Sequence, residues 1–538
     1  MSHTLHVREE ESMSQEGAAT YFRVGILAAV LIVTWIASFS DFSGKALWPA
    51  AIAFATILLT RHAMLGLFSG ALAGCLFLVN GDLWLAMRQL LADHFFPSMQ
   101  GPWRVGAILF TLILGAFTVV IEKSGGFEAV AKRLIGKDGG DEKRRLETAT
   151  GLMGLLCFFD GLANSLLLGR ITQPLADRAG VARARMAYLV DSTSSSIACV
   201  AFISTWIATQ LSLIQQSIEG RGIDDSAYGL FFQSIGQNFY CLFTLALVVV
   251  VIWRRWNIGP MRNAKPTAPA ALPSDEGPAP SIWVALTPII VLAASIVALF
   301  YLWETSPVFP VTGEKLATAF SGSAGPYALT LGSVVGLMVA WVMFPRKKSH
   351  TVPRAMREGA AGMLAPLLIL IMAWTFGSVM KELGTAKWLA DAIGSKFSPS
   401  YFPAAVFLTG SCISFLTGSS WGTMALLMPL AIPGYLDVAG DSPVMLPAVI
   451  GAVFSGAVFG DHCSPFSDTT VVSAFACGVS PREHVITQLP YALLAAAVAL
   501  GIGYLGIGAG VHPLFCLVLG VLVLAGLGYL QTQKQARE

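Results

Sequence analysis

The stretch Gly460-Asp461-His462-Cys463-Ser464-Pro465-Phe466-Ser467-Asp468-Thr469-Thr470 places charged and hydroxyl side chains between long apolar runs. It contains two carboxylates, one imidazole and four hydroxyl groups. Ionisable groups are costly in hydrocarbon, so such a cluster within a membrane span indicates function. The stretch therefore predicts an ion-binding site inside a membrane transport protein.

The composition of the whole chain agrees with a membrane setting. The 538 residues are 55% hydrophobic and 12% charged, with a mean hydropathy of +0.67, whereas soluble domains carry about 25% charged residues. The apolar runs predict an all-α polytopic membrane protein with about 12 to 14 membrane segments of roughly 20 residues each. No basic arm or aromatic-interleaved patch points to nucleic acid.

Basic loops set the expected orientation in the membrane. Apolar segments at about 22–39, 46–60, 64–80 and 104–121 read as four spans. The following loop, from Lys123 to Glu147, is rich in Lys and Arg and is expected to stay in the cytoplasm. Counting back four spans places the N-terminus in the cytoplasm of a cell-membrane protein, with Arg61 and His62 on the same side.

The same features divide the chain into two halves. Residues 1–20 are polar without a signal-peptide pattern, and 266–280 are too rich in proline for a helix. The expected divisions are a cytoplasmic tail at 1–20, a first transmembrane half at 21–260, a Pro/Ala-rich cytoplasmic linker at 261–281, a second half at 282–530 and a tail at 531–538.

Each half contains a similar unit, at about 148–214 and about 401–478. Each unit has a small polar break within an apolar hairpin, then a long segment interrupted by Asp191 or Asp468 and hydroxyl residues. Basic residues precede the Asp191 segment and acidic residues follow it, whereas the order is reversed around Asp468. Opposite orientations predict an inverted-repeat transporter, with discontinuous helices and their carboxylates meeting near the midplane.

Oxygen ligands at these breaks suit a small hard cation such as Na⁺. The candidate residues are Asp160, Asn164, Asp191, Ser192, Thr193, Ser419, Thr423, Asp461, His462, Ser464, Ser467, Asp468, Thr469 and Thr470. A carboxylate that binds Na⁺ can instead take a proton, so the two ions compete and are exchanged. Alternative roles stay open: helix capping for Asp191 and Asp468, a bond to Asn164 for Asp160, and a structural role for His462.

Several motifs resemble the NhaC-type sodium/proton antiporter family. They are Gly418–Thr423, Gly456–Pro465, Ser467–Thr470, His484 and Thr487–Tyr491 in the second half, and Asp160, Asn164, Ala187-Tyr188, Asp191–Thr193 and Ser204–Trp206 in the first. The resemblance covers about residues 100–510 and implies the ion-transporter superfamily fold with paired re-entrant hairpins. The chain departs from the family pattern at Ser194–Ser196 and Phe202. Because the family includes carboxylate exchangers, the cargo stays open.

The leading expectation is a secondary active transporter that exchanges Na⁺ for H⁺ by alternating access, without catalytic residues or a cofactor. The alternatives are coupled exchange or symport of an organic anion or amino acid, which Arg170 at the midplane would favour, and, less strongly, a cation channel. A membrane-embedded hydrolase is a weaker alternative, because it would need a nucleophile–base pair or a full set of metal ligands, and the sequence shows neither. The expected partners are Na⁺, H⁺ and the lipid bilayer, and a homodimer stays open.

Overall fold

The computed structural model describes residues 25–40, 42, 44–135, 141–267, 281–306, 308–312, 315, 318–320, 324–393, 398–440 and 444–535. Within these ranges the regular secondary structure is entirely helical. The expected tail at 1–20 and the central part of the expected linker lie outside the described residues.

Twelve helices form the described part of the first half. They are α1 (Gly25–Ser38), α2 (Trp48–Thr60), α3 (Ala63–Leu78), α4 (Leu83–Gln89), α5 (Pro102–Lys123), α6 (Gly126–Ile135), α7 (Glu142–Leu156), α8 (Gly161–Ala179), α9 (Arg183–Val200), α10 (Thr205–Ile218), α11 (Ala227–Ile235) and α12 (Phe239–Arg254). A π-helical turn, Leu90–Phe95, continues α4.

The described part of the second half also contains twelve α-helices. Its described helices are α13 (Trp283–Glu304), α14 (Gly325–Met343), α15 (Val352–Gly362), α16 (Leu364–Glu382), α17 (Thr385–Ile393), α18 (Phe402–Thr417), α19 (Ser420–Ala439), α20 (Leu446–Cys463), α21 (Asp468–Ala476), α22 (Pro481–Val498), α23 (Leu505–Gly508) and α24 (Pro513–Gln535). A π-helical turn, Ala499–Tyr504, joins α22 to α23.

Ten spans in the described ranges are long and apolar enough to cross a membrane, or up to twelve if each bent helix pair counts as one. The protein is therefore a multi-pass membrane protein, with a span count at the lower end of the predicted range. The expected polytopic helical fold is confirmed.

Two four-helix units, α7–α10 and α18–α21, form the core of the fold. Each contains a helical hairpin followed by a helix pair that is separated by four residues, 201–204 in one unit and 464–467 in the other. The last helix of each unit packs on the second hairpin helix of the other: α10 contacts α19, and α21 contacts α8. This reciprocal packing is that of an inverted repeat.

The crossing of α8 and α21 brings the two backbones close together. A Cβ atom added to Gly169 would lie 2.4 Å from Cβ of Ala476 and 2.9 Å from its carbonyl carbon. Only glycine fits at this position, because any larger residue would force the helices apart.

The two helices on either side of Arg61 are short. With 13 and 16 residues, α2 and α3 are about 20 and 24 Å long, short of the ~30 Å hydrocarbon layer. Their turn contacts the second hairpin, since the Arg61 guanidinium donates to the Leu416 carbonyl and lies 3.9 Å from the Phe466 ring centroid. The segment forms a helical hairpin whose turn packs on the second hairpin, and the cytoplasmic position of Arg61 stays a prediction.

Candidate ion-binding site

Asp191 lies within a continuous helix. The sequence predicted that the chain is interrupted at Asp191, but α9 runs unbroken from Arg183 to Val200 and the helix ends only before 201–204. Asp468, in contrast, is the first residue of α21. The two aspartates therefore do not occupy equivalent positions, because the Asp-Ser-Thr and Asp-Thr-Thr runs resemble each other without sharing a place in the repeat.

Both oxygens of the fully buried Asp191 carboxylate accept hydrogen bonds. Oδ1 accepts from the Ser473 hydroxyl at 3.0 Å, and Oδ2 accepts from Nε2 of Gln488 at 2.6 Å. Nε2 of His484 lies 3.2 Å from Oδ2. His484 and Gln488 are one turn apart on α22 and so face the same partner. Asp191 thereby joins the first unit to α21 and α22.

The buried His462 side chain lies beside this network. Its Nδ1 is 2.9 Å from the Tyr240 hydroxyl, and its carbonyl accepts a 3.0 Å bond from Nε2 of Gln488. Its Nε2 has no hydrogen-bond partner among the described residues. The ring is thus fixed through one nitrogen while the other is available to a ligand or a proton.

Asp461, in the last turn of α20, is fully buried and only half satisfied. Its Oδ1 accepts a 3.1 Å bond from the Ser467 hydroxyl, whereas Oδ2 has no hydrogen-bond partner in the described part of the chain. The hydroxyl of Ser420 lies near the same carboxylate and is also without a bond of normal geometry there. Buried polar atoms are almost always paired, so this arrangement indicates a site for a bound cation or proton.

The remaining residues of the α20–α21 break surround Asp461. The Ser467 and Thr469 hydroxyls are 3.0 Å apart, and the Thr470 hydroxyl donates to the Asp461 carbonyl. Ser464 is buried and its hydroxyl accepts from the Phe466 amide at 3.4 Å. Asp468 is exposed in the first turn of α21, and its Oδ1 accepts from the adjacent Thr469 amide at 2.9 Å.

The two hairpin tips carry equivalent capping residues. Asp160 caps α8 by accepting a 2.7 Å bond from the Ala163 amide, and Ser419 caps α19 by accepting a 3.0 Å bond from the Gly422 amide. Four residues later stand Asn164 and Thr423, both fully buried. The tip of the first hairpin also contacts the start of α10, since the Thr205 amide donates to the Phe159 carbonyl at 2.8 Å.

Asn164 is not bonded to the Asp160 carboxylate. Its Nδ2 donates to the Gly154 carbonyl at 2.9 Å and so ties together the two helices of the first hairpin. Its Oδ1 has no partner among the described residues.

Ser192 and Thr193 lie away from the paired oxygens of Asp191. The Thr193 hydroxyl donates to carbonyls of its own helix, at 2.8 and 3.2 Å, and packs against Gly154 of α7. The Ser192 side chain is buried beside Tyr188. The structure therefore brings Asp191, Asp461 and His462 together with the second break, and leaves these two hydroxyls outside.

The family model for the Na⁺/H⁺ antiporter family matches residues 197–507, more than half of the chain. The chain belongs to the Na⁺/H⁺ antiporter family. An "Uncharacterized protein" of Haemophilus influenzae is 28% identical over 488 residues, which are 87% of this chain and 92% of that protein. The NhaC-type resemblance is thereby confirmed, and the chain is a member of a membrane transporter family.

Named relatives match shorter segments. The Na⁺/H⁺ antiporter NhaC of Alkalihalophilus pseudofirmus is 31% identical over 154 residues, 28% of this chain and 32% of that protein. The malate-2H⁺/Na⁺-lactate antiporter of Bacillus subtilis is 34% identical over 143 residues, 25% of this chain and 28% of that protein. Each of these two matches covers less than a third of the relative's length.

Solved transporter structures share the fold of this family member. The YdaH transporter of Alcanivorax borkumensis superposes with a TM-score of 0.56 at 18% identity, covering 79% of this chain and 89% of that one. MtrF of Neisseria gonorrhoeae gives a TM-score of 0.53 at 14% identity, covering 80% and 85%. At these identities the likeness concerns the fold.

Five polar residues of this antiporter-family site are not among the candidates predicted from the sequence. They are Thr205, Ser420, Ser473, His484 and Gln488. His484 and Gln488 stand four residues apart within a family motif, and this spacing was the available signal. Ser473 lies in an apolar helix where nothing in the sequence distinguishes its hydroxyl.

The donors to Asp191 and Asp461 are hydroxyl, amide and imidazole groups. Asp461 also lies within electrostatic reach of Asp191 and Asp468. Among the described residues, no group of three or more His, Cys, Asp or Glu side chains could hold a metal ion. The carboxylate and hydroxyl oxygens around Asp461 are ligands of the type that hard cations prefer.

Proposed function

We propose that this protein exchanges Na⁺ for H⁺ across the cell membrane by alternating access. The observation that carries the proposal is the Asp461 carboxylate, which is fully buried. One oxygen is bonded to Ser467, and the other has no hydrogen bond of normal geometry among the described residues, with the Ser420 hydroxyl nearby. A buried charge must be neutralised by a counter-ion or a proton. Na⁺ and H⁺ then occupy Asp461 in turn.

The cation ligands in this proposal are Asp461, Ser467 and the Ser420 hydroxyl at the second hairpin. In the first unit, the equivalent junction, where the hairpin tip meets the start of α10, contains Asp160, Asn164 and Thr205. There the Asp160 carboxylate and the Thr205 hydroxyl interact, and Oδ1 of Asn164 is without a partner in the described chain. Each junction joins a hairpin tip to a helix start, so movement of a hairpin would open or close its own ligand set.

Asp191 has a different role in the proposed mechanism. Both of its oxygens already accept hydrogen bonds, from Ser473 and from Gln488. It therefore acts as a positioning residue that holds α21 and α22 in place around Asp461.

Exchange in proteoliposomes tests the proposal. An imposed Na⁺ gradient is expected to move protons, which a pH dye inside the vesicles reports, and Asp461→Asn is expected to abolish this movement. Asp224→Asn, at an exposed loop position, is the control and should exchange normally. Proton movement that ignores the Na⁺ gradient would falsify the exchange, and rapid passive cation flux would identify a channel.

A second candidate function is coupled exchange of an organic anion. It is favoured by Arg61, an exposed guanidinium stacked on Phe466 at the α20–α21 break, close to the proposed cation site. Arg170, the residue singled out from the sequence, is exposed on α8 and lies near Glu122 instead. One relative is named a malate-2H⁺/Na⁺-lactate antiporter.

Labelled uptake separates the two functions. If an organic anion is cargo, a Na⁺ gradient should drive uptake of labelled malate or lactate, and Arg61→Gln should reduce uptake while leaving any Na⁺/H⁺ exchange unchanged. Na⁺/H⁺ exchange at full rate without either acid, together with no Na⁺-driven uptake, would remove this candidate.

The proposed orientation has the N-terminus in the cytoplasm, from the basic loop at 123–147. Single cysteines introduced into that loop of a cysteine-free variant should react with an impermeant maleimide only after the cells are opened. Labelling of intact cells would reverse the orientation.

A further inference from the structure

A deep apolar groove lies on the membrane face between α7 and α12. Its cavity volume is about 610 Å³, and its walls include Gly151, Leu152, Ala246 and Val249, with Thr193 of α9 at its back. Small residues, Gly151 on α7 and Ala246 on α12, line the groove on its two facing helices. It is distinct from the Asp461 cluster.

The groove has one charged end. Arg144 lies in the first turn of α7 and Trp253 in the last turn of α12, so both stand where the helices leave the hydrocarbon. Trp253 is 68% exposed, as expected of a tryptophan at the lipid headgroup level. The apolar end, at Leu155, lies eleven residues further along α7, about 16 Å deeper.

These dimensions match one leaflet of a bilayer. Half of a ~30 Å hydrocarbon layer is about 15 Å, so a single acyl chain reaches from the Arg144 end to the Leu155 end. Water would find almost no polar partners in such a void, whereas an acyl chain fills it without losing hydrogen bonds. The geometry points to a bound phospholipid, with one chain lying in the groove.

The charges at the mouth select the headgroup. Arg144 donates from Nη2 to the Trp253 carbonyl at 3.2 Å, which uses one of the five guanidinium N–H groups. Asp141, 4.0 Å from Nε of Arg144, is also paired with Arg255, so the three residues carry one net positive charge. Basic pockets at helix ends bind anionic headgroups. The occupant we propose is therefore an anionic phospholipid.

The lipid would touch the back of the helix that carries Asp191. Thr193, two residues beyond Asp191 on α9, forms part of the groove wall. An acyl chain there supports α9 from the side opposite the ion site, which links the lipid composition of the membrane to the stability of the site.

Native mass spectrometry of the purified full-length protein tests the site. The probe is phosphatidylglycerol, compared with phosphatidylcholine of the same acyl chains. Wild-type protein should retain phosphatidylglycerol preferentially, and Arg144→Ala should lower that retention about fivefold, since one basic residue contributes about 1 kcal/mol to anionic-lipid binding. Ala246→Phe fills the groove and should remove retention of both lipids.

Two control variants lie outside the groove. Arg354→Ala removes a guanidinium that is 83% exposed, and Val342→Phe enlarges a residue that is 84% exposed on α14; both should retain lipid normally. Equal retention of the two lipids by the wild type would overturn the headgroup assignment. Normal retention by Ala246→Phe would overturn the groove as the site.

Quenching of tryptophan fluorescence gives a second, independent test of the site. Brominated phosphatidylglycerol should quench tryptophan fluorescence more strongly in the wild type than in Trp253→Phe. Identical quenching in the two proteins would contradict binding beside Trp253. Transport activity enters neither experiment, so the lipid site and the proposed exchange can fail independently.

Discussion

Nε2 of Gln488 donates a 2.6 Å hydrogen bond to the Asp191 carboxylate and a 3.0 Å bond to the His462 carbonyl. One amide group thus holds three helices, α9, α20 and α22, at a fixed spacing around the candidate cation site. The bond to Asp191 joins the first repeat unit to α22, which lies outside both repeat units.

Gln488→Leu keeps the shape of the side chain and removes both bonds. Leaving a buried carboxylate short of a donor costs about 1–3 kcal/mol, so the variant should unfold at a lower temperature in detergent and exchange more slowly. Gln533→Leu, at an exposed position of α24, is the control. Equal melting temperatures for Gln488→Leu and wild type would show that the network contributes nothing to stability.

Ser420→Ala tests the ligand set around Asp461. Loss of one hydroxyl ligand worth about 1 kcal/mol should raise the Na⁺ concentration for half-maximal exchange about fivefold, with little change in stability. Ser411 also has a buried hydroxyl without a partner among the described residues, but it lies on α18 away from the tip. Ser411→Ala should therefore leave Na⁺ dependence unchanged. A similar shift in both variants would argue against Ser420 as a ligand.

Gly418→Ala tests the contact between the second hairpin tip and the α20–α21 break. Gly418 has φ of +69°, and an added Cβ would lie 2.8 Å from the Phe466 carbonyl carbon. Gly180 has φ of +64° but meets only the flexible Lys143 side chain at 3.7 Å.

Both substitutions should cost about 1–2 kcal/mol of backbone strain, and Gly418→Ala should cost about 1–3 kcal/mol more from the clash. Thermal unfolding of the two variants gives the difference directly. If the two variants have the same melting temperature, the second hairpin tip is free to move away from the α20–α21 break.

The buried ion pair between Arg185 and Glu147 gives a fourth prediction. Two bonds of 2.6 and 3.0 Å join the guanidinium on α9 to the carboxylate on α7. Arg185→Ala leaves a buried charge uncompensated and should cost about 3–5 kcal/mol.

Arg354→Ala breaks the exposed Arg354–Glu358 pair and should cost less than about 1 kcal/mol. Chemical or thermal unfolding of both variants checks the contrast. A similar small loss in the two would mean that water reaches the Arg185 pair when the protein is in its membrane.

The sequence predicted the class of fold well because its signals are local. Apolar runs mark spans, and the Ser464–Ser467 break contains Pro465, which cannot continue a helix. The matching break at 201–204 reads Ala-Phe-Ile-Ser; it has neither Gly nor Pro, so the prediction placed the interruption at Asp191 instead. The end of α9 at Val200 becomes clear only from the packing of α10 against α19.

The candidate site was predicted in part. Asp461, His462 and Ser467 stand out because polar residues are rare in such surroundings. The partners of Asp191 come from positions 282 to 297 residues later in the chain, and no local pattern encodes such a pairing. The hydrogen bond from Arg61 to the Leu416 carbonyl joins residues 355 positions apart and has no local signal either.

The close approach of Gly169 to Ala476 restricts how a cargo ion can change sides. Two helices whose main chains touch cannot slide or tilt past one another without a collision of backbone atoms. α8 and α21 must then move together, so any displacement of the first hairpin carries α21 of the other unit with it.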